Sequence, residues 1–166
     1  MKLKLVITIC WLLSTIPNGL NRRVVEREKI VHLSNTIFDE LVALRNDLHN
    51  HPELAGNEKR TSGIVKAYLL DLGLEVKTGI GGYGVVGILK GNKEGKKIAW
   101  RADMDAALHA FDNKLNHKPQ VAHICGHDVH TAIGLGIANV LSKCKDDISG
   151  TLYFVFHPAD ESFEGA

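Results

Sequence analysis

Hydrophobic residues recur at helical spacing in the part of the chain that follows a charged stretch at residues 22–29. The first such set is Ile37, Leu41, Leu44 and Leu48. This spacing predicts an amphipathic helix that Pro52 ends. A second helix is predicted from about residue 57, and Gly73 suits its C-terminal cap.

Short runs typical of strands replace the helical pattern after residue 73. Residues 74–77 alternate between apolar and polar side chains, and residues 85–89 and 97–102 form two further runs. The remaining elements are predicted as a polar loop over 106–122, a helix over 128–143 and a strand over 151–156. Helices and strands that mix in this way predict an α/β fold with a mixed, mostly parallel sheet and helices on both faces.

Composition narrows the class of protein. The chain has 166 residues, and its 20 Lys and Arg side chains almost balance its 19 Asp and Glu side chains. A chain without a large basic excess is not expected to bind nucleic acid. Its 45% hydrophobic content excludes intrinsic disorder as the overall state. The length allows one domain with a core, or one piece of a larger protein.

The first 20 residues have the pattern of a secretory signal peptide. Lys2 and Lys4 precede an apolar run at residues 5–16, and Pro17 then breaks the run. We therefore expect the protein to be exported, that is, secreted or periplasmic. The alternatives are an uncleaved helix at a membrane interface and a buried N-terminal helix. The run is shorter than the roughly 20 residues of a membrane span, and no other segment is long enough to be one.

The two cysteines outside this N-terminal run, Cys125 and Cys144, are predicted to be unbridged. They lie at opposite ends of the helix predicted over residues 128–143. At 1.5 Å per residue they would be about 24 Å apart. A disulfide needs Cα atoms within about 7 Å of each other. Cys125 is therefore interpreted as a free thiol or a metal ligand.

The densest cluster of reactive side chains lies at residues 123–130, with the sequence HICGHDVH. Cys125 and His127 flank Gly126, whose backbone freedom lets both side chains converge on one point. A thiolate and an imidazole together suit zinc or a similar borderline metal. The helix that begins near Asp128 is expected to lower the pKa of the Cys125 thiol through its dipole. The alternatives are a buried cysteine beside surface histidines and a small structural zinc site; His123 and His130 are weaker ligand candidates.

Two acidic segments follow predicted strands. Asp103 and Asp105 come directly after the run at 97–102, where either carboxylate could orient a ligand histidine. Asp160 and Glu161 follow the strand predicted over 151–156, and such a pair can divide the tasks of holding a metal and moving a proton. The alternatives are an ordinary solvated loop for the first segment and a charged turn for the second.

A glycine pattern at residues 82–87 matches the dinucleotide-binding fingerprint G-x-G-x-x-G. That fingerprint requires a helix directly after the glycines. Here the chain continues with residues typical of a strand, so we interpret the match as accidental.

Four segments in this order resemble the M20 family of metallopeptidases and amidohydrolases. The similarity is greatest to the branch of hippurate hydrolase, bacterial N-acyl-amino-acid deacylases and plant indole-acetyl-amino-acid hydrolases. The segments are LRNDLH (44–49) with PEL (52–54), RADMDA (101–106), HICGHDVHTA (123–132) and FHPADE (156–161). The resemblance covers residues 37–166, and the Cys-Gly-His-Asp core is its most specific part.

The resemblance implies a site with two divalent metal ions, Zn, Mn, Co or Ni, that hydrolyses an amide bond of a small N-acylated amino acid or peptide. By position, Cys125, His127 and Glu161 correspond to metal ligands. Asp160 stands at the position of the general base, and Asp105 at that of a residue behind the ligands. The enzyme class implied is an amidohydrolase or carboxypeptidase-like hydrolase.

The chain also departs from the family pattern. The family has Glu at the position of Asp160 and Gln at the position of His157. Aspartate withdraws the carboxylate by about 1 Å, a misplacement that can cost about 100-fold in rate. Family members are far longer, so we expect residues 30–166 to be the N-terminal part of the catalytic domain, impaired or inactive alone. A homodimer is expected only where the family's lid domain is present; the alternative is a non-catalytic fragment that binds metal or a partner.

Overall fold

The computed structural model describes residues 27–109 and 120–165. The predicted signal peptide and most of the predicted loop at 106–122 lie outside these residues. The described helices are α1 (Arg27–Thr36), α2 (Phe38–Asn50), α3 (Lys59–Asp71) and α4 (His127–Ser142). The strands are β1 (Glu75–Ile80), β2 (Gly84–Lys90), β3 (Lys93–Asp103), β4 (Ala107–His109), β5 (Gln120–Ala122) and β6 (Ser149–His157). Short 3₁₀ turns lie at Lys145–Asp147 and Asp160–Ser162. Among the helices described, none has the length and apolar character that crossing a membrane requires.

Helices α2 and α4 follow the hydrophobic pattern closely. Helix α2 buries Leu41 and Leu48, and α4 runs within one residue of the predicted 128–143. Helix α4 lies directly on the sheet at Gly134, where a β-carbon would come within 3.1 Å of side-chain atoms of Ala102 and Phe156. Glycine at this position therefore permits the close approach of helix and sheet.

Helix α3 begins at Lys59, slightly later than the predicted residue 57, because an upstream side chain caps it. The carboxylate of Glu53 accepts hydrogen bonds from the amides of Arg60 (2.9 Å) and Thr61 (2.8 Å). These amides belong to the first turn, which has no partners within the helix. At the other end, Gly73 adopts a φ of 75°, as expected for a glycine that follows a helix.

The main sheet has the strand order β1-β2-β6-β3. Strand β6 runs parallel to β3 and antiparallel to β2, and β1 and β2 are also antiparallel. One face of this sheet contributes Val85, Leu89, Ala102, Phe154 and Phe156 to a core shared with all four helices. The helices contact one another, with α4 touching the other three, so they lie on the same side of the sheet.

The α/β class and the mixed sheet are confirmed, and two details differ from the prediction. Among the three strand pairs of the main sheet, only β3–β6 is parallel, because β1 and β2 form a hairpin that pairs antiparallel with β6. The described helices cover one face of the sheet rather than both.

Two shorter features also bear on the sequence interpretation. The glycine pattern at 82–87 leads into β2, which pairs on both sides as a strand, so it lacks the helix of a dinucleotide site. The segment predicted as a loop over 106–122 contains the paired strands β4 and β5. These strands have three residues each, too few for hydrophobic alternation to reveal them.

The parallel pairing of β3 and β6 brings two acidic segments to one edge of the sheet. Asp103 at the end of β3 pairs in register with His157 at the end of β6. Just beyond this pair, the amide of Met104 donates to the carbonyl of His157 at 3.0 Å. The segments that carry Asp105 and Asp160–Glu161 therefore leave the sheet side by side, next to the beginning of α4.

Candidate metal centre

Glu161 lies next to both of the other predicted metal ligands. His127 Nε2 is 3.9 Å from Oε1 of Glu161. The Cys125 side chain is hydrogen bonded to the Glu161 side chain. The structure therefore brings together a thiol and an imidazole from the loop before α4 and a carboxylate from the segment after β6.

Asp105 holds the His127 ring. The Nδ1 of His127 lies 2.9 Å from the backbone carbonyl oxygen of Asp105 and 3.1 Å from its Oδ1. The hydrogen bond to this buried carboxylate raises the pKa of His127 to about 9, although partial burial of the ring acts in the opposite direction. With Nδ1 engaged, Nε2 is the nitrogen that faces the other candidate ligands. This is the placement that the orienting role predicted for Asp105 requires.

The second oxygen of Asp105 connects the two sides of the site. Asp105 is 1% exposed, and its Oδ2 accepts a hydrogen bond from the amide of Glu161 at 2.8 Å. Burial acts to raise the pKa of Asp105, but the hydrogen bonds from His127 and from the Glu161 amide outweigh it and leave the pKa lowered. One carboxylate thus fixes both a candidate nitrogen ligand and the backbone of a candidate oxygen ligand.

Asp160, predicted at the position of the general base, lies at the rim of the same cluster. Its Oδ2 is 3.9 Å from Nε2 of His127. Its Oδ1 is in contact with the guanidinium of Arg101. The two oxygens of this carboxylate therefore face two different groups.

The expectation for the Cys125 thiol was wrong. Its pKa is raised, chiefly by the hydrogen bond to Glu161 and further by partial desolvation and the charges of nearby carboxylates. The helix begins at His127, with Gly126 in the left-handed conformation at a φ of 83° before it. Tertiary neighbours therefore outweigh the helix dipole that the sequence suggested.

The donor set fits a divalent metal ion of the zinc type. Sulfur, nitrogen and oxygen ligands are the three kinds that zinc accepts, and three protein ligands are what a catalytic zinc ion requires. The carboxylates of Asp105, Asp160 and Glu161 lie close to the His127 ring, so a bound cation would offset their negative charge.

Asp103 and Asp105 have different partners although they are two residues apart. The Oδ2 of Asp103 lies 3.1 Å from Nδ1 of His130, and the Asp103 amide donates to the same nitrogen at 3.1 Å. His130 therefore stands against Asp103, on the first turns of α4, while His127 stands against Asp105. The sequence left open which aspartate meets His127, and the structure assigns that contact to Asp105.

His123 is buried behind the cluster. It is 7% exposed, and neither ring nitrogen has a hydrogen-bond partner among the described residues. Burial is the main cause that lowers its pKa. Its ring stacks against that of His49 from α2, with centroids 6.5 Å apart.

Asp128 connects the segment at residues 44–49 to the segment at residues 123–132. The sequence did not reveal this contact. The side chain of Asp128 is fully buried, and its Oδ2 lies 2.9 Å from Nε of Arg45 and 2.7 Å from Nδ1 of His49. Both partners come from α2. These contacts attach α2 to the beginning of α4 and thereby support the loop that carries Cys125.

Glu58 is a second residue whose role sequence reasoning missed. It is fully buried, and its Oε1 accepts hydrogen bonds from the amides of Gly56 (3.0 Å) and Ala159 (2.7 Å). Ala159 has a left-handed φ of 53° and directly precedes Asp160. The contact with Ala159 joins residues 101 positions apart, so the local sequence had no signal for it.

Known proteins share this arrangement of segments. Residues 99–166 match the family described as Peptidase family M20/M25/M40. The chain is 42% identical over 138 residues to thermostable carboxypeptidase 2 of Saccharolobus solfataricus, covering 81% of this chain and 35% of the relative. It is 37% identical over 147 residues to the N-acyl-L-amino acid amidohydrolase of Geobacillus stearothermophilus. That match covers 84% of this chain and 38% of the relative.

A solved structure gives the same assignment. A Bacillus subtilis protein, described as a dinuclear metal binding peptidase from the M20 family, superposes with a TM-score of 0.68 at 34% identity. The match covers 76% of this chain and 36% of that one. These matches show that the chain is similar to the M20 family.

The chain spans a little over a third of the length of the curated relatives it matches. The described residues form a partial domain of the family fold. The chain resembles hydrolases of amide and peptide bonds, as their names state.

Proposed function

We propose that this chain forms part of a metal-dependent hydrolase of amide bonds in N-acyl amino acids or small peptides. The observation that carries the proposal is that Glu161 contacts both Cys125 and His127, while Oδ2 of Asp160 lies 3.9 Å from Nε2 of the same histidine. The similarity to an N-acyl-L-amino acid amidohydrolase and to a carboxypeptidase supports the substrate class.

Cys125, His127 and Glu161 are the residues that would hold a metal ion. A divalent cation bound there would polarise the substrate carbonyl and lower the pKa of a water molecule. Three ligands suffice for one catalytic zinc ion. We propose two divalent ions, Zn, Mn, Co or Ni, for the whole protein, on the basis of the dinuclear M20 peptidase that this chain resembles.

The protein side chains would divide the remaining work. Asp105 holds His127 through Nδ1, so that Nε2 faces the reacting groups. Arg101 donates its hydrogen bond to Oδ1 of Asp160, so Oδ2, which is nearer to His127, is the atom that would take a proton from the attacking water. The same atom would then deliver that proton to the leaving nitrogen, as a general base that becomes a general acid.

Hydrolysis of N-acyl amino acids by the purified chain, with added Zn²⁺ or Mn²⁺, tests this function. We expect Cys125→Ala to remove the activity and the bound metal together. Cys144→Ala is the matched control, because Cys144 is a buried free cysteine beyond the far end of α4. Hydrolysis at the same rate after Cys125→Ala would contradict the proposal.

A second candidate function is a non-catalytic metal-binding fragment. The contact between Asp160 and Arg101 favours it, because it commits one oxygen of a carboxylate that is already one methylene shorter than glutamate. This candidate predicts that the chain binds metal through Cys125 and hydrolyses no substrate. The first candidate predicts both binding and hydrolysis.

A further inference from the structure

One nitrogen of Arg101 stands at the meeting point of three acceptor side chains. Its Nη2 lies 2.7 Å from Oδ1 of Asp103 and 3.3 Å from Nδ1 of His157, and it also contacts Oδ1 of Asp160. Because a guanidinium can only donate, His157 must accept at Nδ1, with the lone pair of that nitrogen directed at Arg101. Lone pairs of these three acceptor side chains are therefore directed at one positively charged nitrogen.

The three acceptors are close enough to share a metal ion. One ligand atom from each of Asp103, His157 and Asp160 lies within 4.8 Å of the other two. The cross-strand pairing of Asp103 with His157 fixes two of them, and the turn after β6 brings the third. This geometry follows from the sheet and does not depend on the Cys125 cluster.

One carboxylate oxygen of Asp103 has no well-aligned hydrogen-bond donor in the part of the chain that the structure describes. The residue is nine-tenths buried, and its Oδ1 accepts no hydrogen bond of normal alignment from the described residues, despite the nearby Arg101 charge. A buried carboxylate oxygen without an aligned donor is costly. A metal ion, which has no alignment requirement of this kind, satisfies such an oxygen better than a misaligned guanidinium.

We propose that Asp103, His157 and Asp160 form a second divalent-cation site, which shares Asp160 with the Cys125 cluster and in which the Arg101 guanidinium stands in for the metal. Two carboxylate oxygens and one imidazole nitrogen suit Zn²⁺, Co²⁺ or Mn²⁺. The site goes beyond the proposed hydrolysis and does not depend on it.

Arg101 is able to leave this position. Its side chain is 52% exposed, so it can turn into solvent when a metal ion takes its place. Metal must then compete with a resident positive charge, which weakens binding. The proposal therefore makes an uncommon prediction: removing a positively charged side chain that is not a ligand tightens metal binding.

Cobalt titration of the whole chain separates the two sites. A thiolate bound to Co²⁺ gives a charge-transfer absorption that reports the Cys125 cluster, whereas equilibrium dialysis counts every bound ion. We expect the dialysis count to exceed the count from the absorption by one ion per chain. We expect His157→Gln to weaken the binding of that extra ion at least about tenfold and Arg101→Gln to strengthen it about tenfold. Groups around metal ligands change affinity by amounts in this range.

The matched control is His51→Gln, because this histidine is exposed and contacts Asp47 on α2. It should change neither count. Circular dichroism of each variant without metal checks that the fold is kept. The proposal is overturned if the extra ion is absent, if His157→Gln and His51→Gln bind it equally, or if Arg101→Gln weakens it. None of these results bears on whether the Cys125 cluster supports hydrolysis.

Discussion

Two clusters of donor side chains share Asp160, and they balance their charge in different ways. Around His127, a thiol and three carboxylates face one imidazole. Around Arg101, two carboxylates and an imidazole face a guanidinium that the chain itself supplies. The His127 cluster needs a cation from solution to offset its negative charge, whereas the Arg101 cluster already holds a guanidinium.

This difference shows that a set of ligand-type residues does not by itself define a metal site. The Arg101 cluster has the tighter geometry, yet its central position is filled by a side chain. The His127 cluster is looser, because among the described residues only the Arg101 cluster has three ligand atoms that all lie within 4.8 Å of one another. The charge already present therefore decides how readily each cluster accepts a metal ion.

Removing the support that both clusters share should have the largest effect. Glu58→Ala leaves the buried amides of Gly56 and Ala159 without an acceptor and opens a cavity. We expect a loss of about 3 kcal/mol in the free energy of unfolding, measured by urea denaturation. Glu94→Ala, at an exposed position of β3, is the control and should change stability little. A loss equal to that of the control would show that Glu58 does not hold this turn.

The next largest effect is expected from lengthening the side chain of Asp160, which both clusters share. Asp160→Glu should let the carboxylate reach further toward His127 and raise the rate of N-acyl amino acid hydrolysis by up to about 100-fold. The measurement is the initial rate with saturating Zn²⁺ or Mn²⁺. Asp146→Glu, on an exposed 3₁₀ turn, is the same change at a remote position. A rate that falls in Asp160→Glu would argue against a base at this position.

Asp105→Asn should disturb one cluster and spare the other. Losing the charge that holds His127 is expected to weaken Co²⁺ binding at Cys125 about tenfold, read from the thiolate charge-transfer absorption. Asp103→Asn is the matched variant two residues earlier and should leave that absorption unchanged. If both variants weakened it equally, the separation of the two clusters drawn from their contacts would be wrong.

The smallest effect is expected for the stability of the metal-free protein after Arg101→Gln. The arginine is half exposed, so its ion pairs are screened by solvent and should contribute less than about 1 kcal/mol to the free energy of unfolding. Urea denaturation in the presence of a chelator measures this. A loss of several kcal/mol would mean that Arg101 is a structural cation, and that metal cannot readily replace it.

The sequence could predict those parts of the fold and site that depend on local spacing. Helices α2 and α4 were predictable because their apolar residues repeat over several turns. Cys125 and His127 were predicted as a pair because one glycine separates them, and in the structure Glu161 contacts both. Both cysteines remain free in the structure, as the length of the intervening helix predicted.

Contacts between distant segments could not be predicted in the same way. Asp103 and Asp105 differ by two residues, and only the path of the chain after β3 decides which of them meets His127. The roles of Arg101 and His157 depend on the register of β3 against β6, for which neither strand carries a local signal. The pKa of Cys125 moved in the opposite direction from the expected one because Glu161 comes from a remote segment.

The sequence by itself determined the α/β class and the unbridged state of Cys125 and Cys144, and it predicted a set of metal ligands, because these follow from periodicity, length and residue type. The tertiary structure decided which donors share a point, which carboxylate holds which histidine, and where an arginine already serves as the cation. The physical reason is that electrostatic balance depends on distances between segments, and those distances are set by strand register and helix packing.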